Sequence, residues 1–196
     1  MFYNWLKTSS SQCLLATLFV LGSFLPLQAA DETRVVKVGG LSLTVPKHWK
    51  EEPPANRLRL GQFSVPAVEG DKEAAELSIF NFGAGGTVAE QVTRWNEQFE
   101  ANGRKAQATT GSIENLGKYV FVDLSGTYKK PDGPPILRKT TPQPGSRMLV
   151  AMIQTEDGDY FLKLVGPAKT VTAALEAFRT SFGAKADKEK PLEAGL

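Results

Sequence analysis

The chain has 196 residues, of which 41% are hydrophobic, 22% charged and 9% aromatic. Its 11 Phe, 3 Trp and 4 Tyr are enough to fill a core, so disorder as the main state is excluded. The net charge of +2 argues against a nucleic-acid-binding protein, because such proteins need a concentrated positive field. One His and one Cys are too few for a Cys/His zinc site, and we expect no metal and no cofactor.

The first 30 residues have the order of a secretory signal peptide. Lys7 and the α-amino group supply positive charge, and residues 13–25 form a short apolar run. Small residues follow Pro26, so we expect cleavage after Ala29 or Ala30. A spanning helix needs about 20 apolar residues, and we therefore expect no stable membrane span after cleavage. The prediction is an exported protein, periplasmic or extracellular, and an uncleaved N-terminus that tethers the protein to the membrane is the alternative.

The mature chain contains β-prone runs separated by turn signals. Gly39-Gly40 predicts a hairpin within residues 35–45. Residues 76–82 are apolar on both faces, which predicts a strand inside the sheet. Together these patterns predict about seven strands, at residues 35–38, 41–45, 57–65, 76–82, 118–128, 147–155 and 159–165.

Two amphipathic helices are predicted among these strands. The first covers residues 87–102, where Thr87 and Glu90 have the spacing of a capping box. The second covers residues 170–183, and the charged residues 184–196 are predicted to be a flexible tail. Residues 31–183 should therefore form a single α+β domain, with a largely antiparallel sheet flanked by two helices in an α/β sandwich.

Two resemblances accompany this pattern. Pro46-Lys47-His48-Trp49 is similar to the turn that ends the first strands in the Mog1/PsbP-like fold, whose order of hairpins and late helix the chain resembles over residues 35–183. Residues 59–66 and 94–99 resemble segments of uncharacterised exported bacterial proteins, especially planctomycete-like ones. The fold resemblance implies an accessory or binding protein rather than a catalyst, although fold alone does not fix function.

The best candidate for partner contact is the segment 129–146. It contains five Pro and two Gly, which predicts a long exposed loop within the domain. Its basic residues and two apolar residues are the predicted binding site: Lys129, Lys130, Ile136, Leu137, Arg138 and Lys139. Prolines keep such a loop extended and lower the cost of ordering it on binding.

The resulting hypothesis is an exported, non-enzymatic binding or accessory protein. It would act through its sheet surface and the basic Pro-rich loop on a protein or envelope component, and no catalytic residue is assigned. The alternative is a hydrolase-type enzyme that uses His48, the one imidazole in the chain, with an acid such as Glu51. Because no Gly-x-Ser-x-Gly elbow is present, the sequence favours binding over catalysis.

Overall fold

The computed structural model describes Met1 and residues 32–83, 86–133 and 139–192. The strands, numbered β1 to β10 in chain order, are Thr33–Val38, Leu41–Pro46, Lys50–Glu51, Arg59–Val65, Ala75–Asn81, Lys105–Ile113, Gly117–Pro131, Thr140–Thr155, Gly158–Pro167 and Lys190–Pro191. The helices, numbered α1 to α3, are Val88–Asn96, Ala168–Ala173 and Leu175–Ser181.

The architecture is α+β with one large antiparallel sheet, as predicted. Within the described residues this sheet has eight strands, in the order β10-β6-β7-β8-β9-β5-β4-β3. Strands β1 and β2 form a separate two-stranded hairpin. The sequence prediction of about seven strands missed β3, β6 and β10. Two of these have only two residues each, and β6 is rich in Ala, Thr and Ser, which give no alternating apolar signal.

The large sheet has a hydrophobic core on each face. In β7, Tyr119 and Phe121 belong to the first core, whereas Val120 and Val122 belong to the second. The same alternation continues in the neighbouring strands β8 and β9. Since successive side chains of a strand point to opposite faces, strands that are buried on both sides have the nearly continuous apolar sequences seen here.

The first face is covered by the β1–β2 hairpin together with α2 and α3. Trp49, which follows the hairpin, and Phe178 of α3 are both fully buried in this core. The predicted single helix over residues 170–183 is instead two short helices that meet at Ala174. Thr170 lies inside α2, and both its amide and its hydroxyl donate to the Asp71 carboxylate.

The second face is covered in part by α1. Its capping box is present, with Thr87 Oγ1 accepting from the Glu90 amide and the Glu90 carboxylate accepting from the Thr87 amide. Trp95 and Phe99 pack into the second core, but the helix ends at Asn96 and not near residue 102. A nine-residue helix is too short to cover the face, so part of the sheet is left open for other elements.

The segment 129–146 is not the long loop that its prolines predicted. Strands β7 and β8 stay paired as far as Pro131 opposite Thr140, after an irregularity at Gly126. Their neighbours stop earlier, because β6 pairs only up to Ser125 and β9 only up to Ser146. Beyond those points the hairpin is a two-stranded ribbon, apart from a short bridge between Phe99 and Tyr128 that lies away from its prolines. A proline in it removes no hydrogen bond to a third strand, which explains why the prolines are tolerated there.

The segment after α3 also differs from the predicted tail. Ala184 is buried, and β10 pairs with β6 through Lys190 opposite Thr110. The Glu189 side chain is only 4% exposed and accepts hydrogen bonds from Thr109, Tyr119 and Arg179. Residues 184–192 therefore belong to the domain, and residues 193–196 lie outside the described part of the chain.

Candidate functional site

A polar cleft occupies the part of the second face that α1 leaves open. Its volume is about 830 Å³, which lies within the range of small-molecule and peptide sites. The floor is formed by β4, β5 and β9, and one wall is the ribbon formed by the ends of β7 and β8. We call this feature the cleft throughout.

The floor of the cleft is polar where the rest of the second face is apolar. Ser78 of β5 stands opposite Lys163 of β9, and both point to the second face. Two residue pairs further along, on the same face, Phe80 lies opposite Phe161, and both rings pack with the aromatic cluster beside α1. The sheet thus changes from an aromatic core to a polar floor within two residues along each strand.

Arg59 and Glu76 form the first polar group of the cleft. An Arg59 Nη1–Glu76 Oε1 distance of 2.9 Å joins them, and Ser78 Oγ donates to the same carboxylate at 3.0 Å. Gln62 accepts from Arg59 at 2.6 Å and donates to Glu76 at 3.2 Å. The Arg59 side chain is only 17% exposed and lies over the Phe80 ring. This network fixes the guanidinium against the floor, with its Nε buried and without a partner among the described residues.

Lys163 is the second polar group of the cleft, and unlike Arg59 it is bonded to neutral groups. Its Nζ donates to Gln98 Oε1 at 2.6 Å and to Tyr128 Oη at 3.1 Å, and both acceptors are neutral. Within the described residues Lys163 forms no salt bridge. Burial lowers the pKa of Lys163 to about 8, with the Glu76 carboxylate opposing that shift and the Arg59 charge adding to it.

Tyr128 links the ribbon to this lysine. It lies in β7 beyond the irregularity at Gly126, opposite Gln143, and its ring packs on Phe99. Burial, together with the nearby Glu76 carboxylate, raises the pKa of the Tyr128 hydroxyl to about 12. The phenol is therefore neutral at physiological pH and acts as a hydrogen-bonding group.

The structure divides the predicted binding residues. Lys130 lines the cleft and approaches Glu73 at 4.0 Å. Lys129 lies in the ribbon, where its amide donates to Gln98 O, and Lys139 pairs with Asp132 at 3.1 Å at the end of the ribbon. The remaining three predicted residues, Ile136, Leu137 and Arg138, lie outside the described residues.

The alternative catalytic pair is not in the cleft. His48 is exposed in the turn between β2 and β3, and the Glu51 carboxylate pairs with Arg34 at 3.3 Å. Across the described ranges, no group of three or more His, Cys, Asp or Glu side chains is arranged to hold a metal ion. None of the helices in those ranges combines the length and apolar character that a bilayer crossing requires.

Sequence reasoning missed Arg59, Glu76 and Lys163, which are the central residues of the cleft. One signal was available for Lys163. It alternates with Phe161 and Val165 along β9, so it had to share their buried face. A lysine on a buried strand face is uncommon unless it has a specific partner. No pattern along the chain could bring Arg59 to Lys163, since that proximity arises from the pairing of β4, β5 and β9.

Comparison with known proteins gives a fold likeness only. No family model matches the chain, and no curated protein matches it. Among solved structures, it is similar to PA94 of Pseudomonas aeruginosa, a protein of unknown function, at 16% identity and a TM-score of 0.42, over 75% of this chain and 91% of that one. It is also similar to a PsbP of the cyanobacterium Synechocystis at 15% identity and a TM-score of 0.44, over 88% and 99%.

The second of these structures bears the name of the fold group that the sequence resembles. At identities and TM-scores of this size, the likeness concerns the course of the chain and assigns no activity, ligand or partner. The functional argument therefore rests on the cleft and its side chains.

Proposed function

We propose that this protein is an exported, non-enzymatic binding or accessory protein that takes part of a protein or envelope component into the cleft. The observation that carries this proposal is the cleft itself, a concave polar site of about 830 Å³ on a rigid sheet. Export is supported by the signal-like order of residues 1–30. The ribbon extends the floor into a wall that a partner can contact.

The chemistry of the cleft favours binding over catalysis. Arg59, Glu76 and Gln62 are bonded to one another, which holds them in fixed positions. The exposed His48 lies elsewhere, so the cleft has no imidazole to transfer protons near neutral pH. A rigid array of donors and acceptors recognises a ligand well, because little ordering is required when it binds.

A cleft-filling variant tests this function. Gln143 lines the cleft from the ribbon and is half-buried, so Gln143→Trp should block the cleft while replacing no core residue. Thr140→Trp is the matched control, since Thr140 is exposed on the same strand and is not part of the cleft wall. In capture experiments from envelope extract of the native organism, we expect wild type and Thr140→Trp to recover the same partner and Gln143→Trp to lose it.

A second variant tests the end of the ribbon separately. Replacing residues 131–140 by Asn-Gly joins Lys130 to Thr141, which already face each other, through a two-residue turn. It removes the predicted contact residues 136–139 and keeps the inner part of the ribbon. If the shortened ribbon fails to recover the partner, residues 131–140 also contribute contacts to it. Equal recovery by the wild type, the shortened ribbon and Gln143→Trp would overturn the proposed function.

A further inference from the structure

Lys163 carries a positive charge that the cleft encloses but does not neutralise. Placing an ammonium group in a poorly solvated site is unfavourable unless an anion is present. Gln98 and Tyr128 supply two neutral acceptors, whereas an ammonium has three donors. One donor is thus left unmatched, and the ammonium has no salt-bridge partner among the described residues.

The acidic residues of the cleft already have partners. Glu76 is bonded to Arg59, Gln62 and Ser78, and Glu73 lies near Lys130. Asp71 accepts from the amide and hydroxyl of Thr170 at the start of α2. Glu76 favours the charged form of Lys163 electrostatically, but none of these carboxylates forms a salt bridge with it.

Arg59 provides a second, independent observation. Its Nη1 is used by Glu76 and Gln62, but its Nε is buried and has no acceptor among the described residues. A buried N–H donor without an acceptor is destabilising, so such groups in native proteins need an explanation. Arg59 is close enough to Lys163 for its charge to act on the ammonium, and both side chains line the cleft.

We propose that the cleft recognises a carboxylate, which binds Lys163 Nζ beside the Arg59 guanidinium. This inference rests on the proposed function and names the chemical group of the partner that enters the cleft. A carboxylate fits the proposed protein partner better than a phosphate, because Asp and Glu side chains and the C-terminus of an unmodified protein present carboxylates. Phe80 and Val165 offer apolar contact for the remainder of the ligand.

Two small probes test the charge requirement on the full mature protein. N-acetylphenylalanine carries a carboxylate, and N-acetylphenylalaninamide is its neutral counterpart. In ¹⁵N-NMR titrations we expect the acid to shift amide signals of β5 and β9 saturably, and the amide to bind at least tenfold more weakly. Inorganic phosphate should also bind more weakly than the acid. Equal binding of acid and amide, or tighter binding of phosphate, would refute a carboxylate site.

Variants connect the effect to the proposed residues. Lys163→Met should weaken binding of the acid at least tenfold, and Arg59→Gln should weaken it as well. Lys118→Met is the matched control, because Lys118 is exposed on β7 and does not line the cleft. Unchanged affinity in Lys163→Met, with its spectrum showing a folded protein, would also contradict the proposal.

The wild-type protein gives a readout that does not depend on the folding of a variant. The probe carboxylate is ionised at every pH between 7 and 9.5, whereas Lys163 loses its proton near pH 8. Lys163 faces Glu76 on β5, Arg59 on β4 and Tyr128 on β7, and of these the tyrosine has a pKa of about 12. We expect affinity to fall about tenfold from pH 7 to 9.5, and a constant affinity would refute the role of Lys163.

Failure of this inference and failure of the proposed function give different results. If the neutral amide shifts the same cleft signals as the acid, the cleft is a binding site that does not select carboxylates. If Gln143→Trp retains the envelope partner, the cleft is not the site at all.

Discussion

At the scale of single residues, Lys163 links stability to pH. Its pKa in the folded protein is about 8, below the value near 10.4 expected in the unfolded chain. Below pH 8 both states hold the proton, and the folded state has the full cost of the enclosed charge. Between pH 8 and 10.4 the unfolded state holds more protons, so the free energy of unfolding rises with pH.

Lys163→Met removes this dependence. We expect the wild type to gain about 1–2 kcal/mol of stability relative to the variant between pH 7 and 9.5. Urea unfolding of both proteins at the two pH values measures the difference. Parallel pH dependence in the two proteins would show that Lys163 titrates normally in the fold.

Glu189 provides a second test at this scale. Its enclosed carboxylate bonds Arg179, whose guanidinium lies 4.4 Å from the Phe121 ring centroid. Glu189→Ala leaves that guanidinium without its enclosed partner, and we expect the free energy of unfolding to fall by about 3–5 kcal/mol.

Glu176→Ala is the control for Glu189→Ala. Glu176 binds the same Arg179, but its side chain is 71% exposed. Its removal should cost less than about 1 kcal/mol. Chemical denaturation distinguishes the two variants, and similar losses in both would contradict the importance of burial at Glu189.

At the scale of elements, the sequence predicted best the hairpins, strands and helix starts that short sequence patterns specify. The hairpin at Gly39-Gly40, the strand near residues 76–82 and the capping box at Thr87 all appear as predicted. Each is specified by residues close together in the chain. The ribbon was misread because proline content alone does not show whether a strand has neighbours on both sides. That property depends on where β6 and β9 end.

The start of α1 allows a direct measurement. Thr87→Ala removes the acceptor for the Glu90 amide, and we expect it to cost about 1 kcal/mol of stability. Thr87→Ser keeps the hydroxyl and should restore most of this loss. The midpoints of thermal unfolding rank the stability of the wild type, Thr87→Ser and Thr87→Ala. An alanine variant as stable as the wild type would show that packing of Trp95 and Phe99 holds the helix without its cap.

At the scale of the whole molecule, the two cores share one sheet. Trp49 belongs to the core on the first face and Trp95 to the core on the second. Because both cores pack against this sheet, unfolding of the sheet exposes both of them. The chain from residue 31 onward should therefore unfold in a single cooperative transition.

Single-tryptophan variants test this coupling. In the protein that begins at Asp31, Trp49→Phe leaves Trp95 as the fluorescent reporter, and Trp95→Phe leaves Trp49. Within each variant, we expect the midpoint from fluorescence to coincide with the midpoint from circular dichroism. Separate transitions for the two signals would mean that one face opens while the other stays folded.

The sequence predicted the class of the fold better than the site. Apolar alternation and turns report on neighbours along the chain, and they are sufficient for an antiparallel α+β sheet. The cleft joins Arg59, Glu76, Tyr128 and Lys163, which come from four strands. Their meeting depends on strand order and on the short length of α1, and neither is encoded within a local segment.

The position of Glu189 has a consequence for synthesis of the protein. The ribosome synthesises β6, β7 and α3 before it reaches Glu189. Arg179 therefore lacks its enclosed partner until the last residues of the domain are made. A copy interrupted between residues 183 and 188 would possess most of both cores and the whole cleft. It would nevertheless lack the Glu189–Arg179 ion pair and the pairing of β10 with β6. Cellular proteases should therefore degrade such fragments faster than the full-length protein.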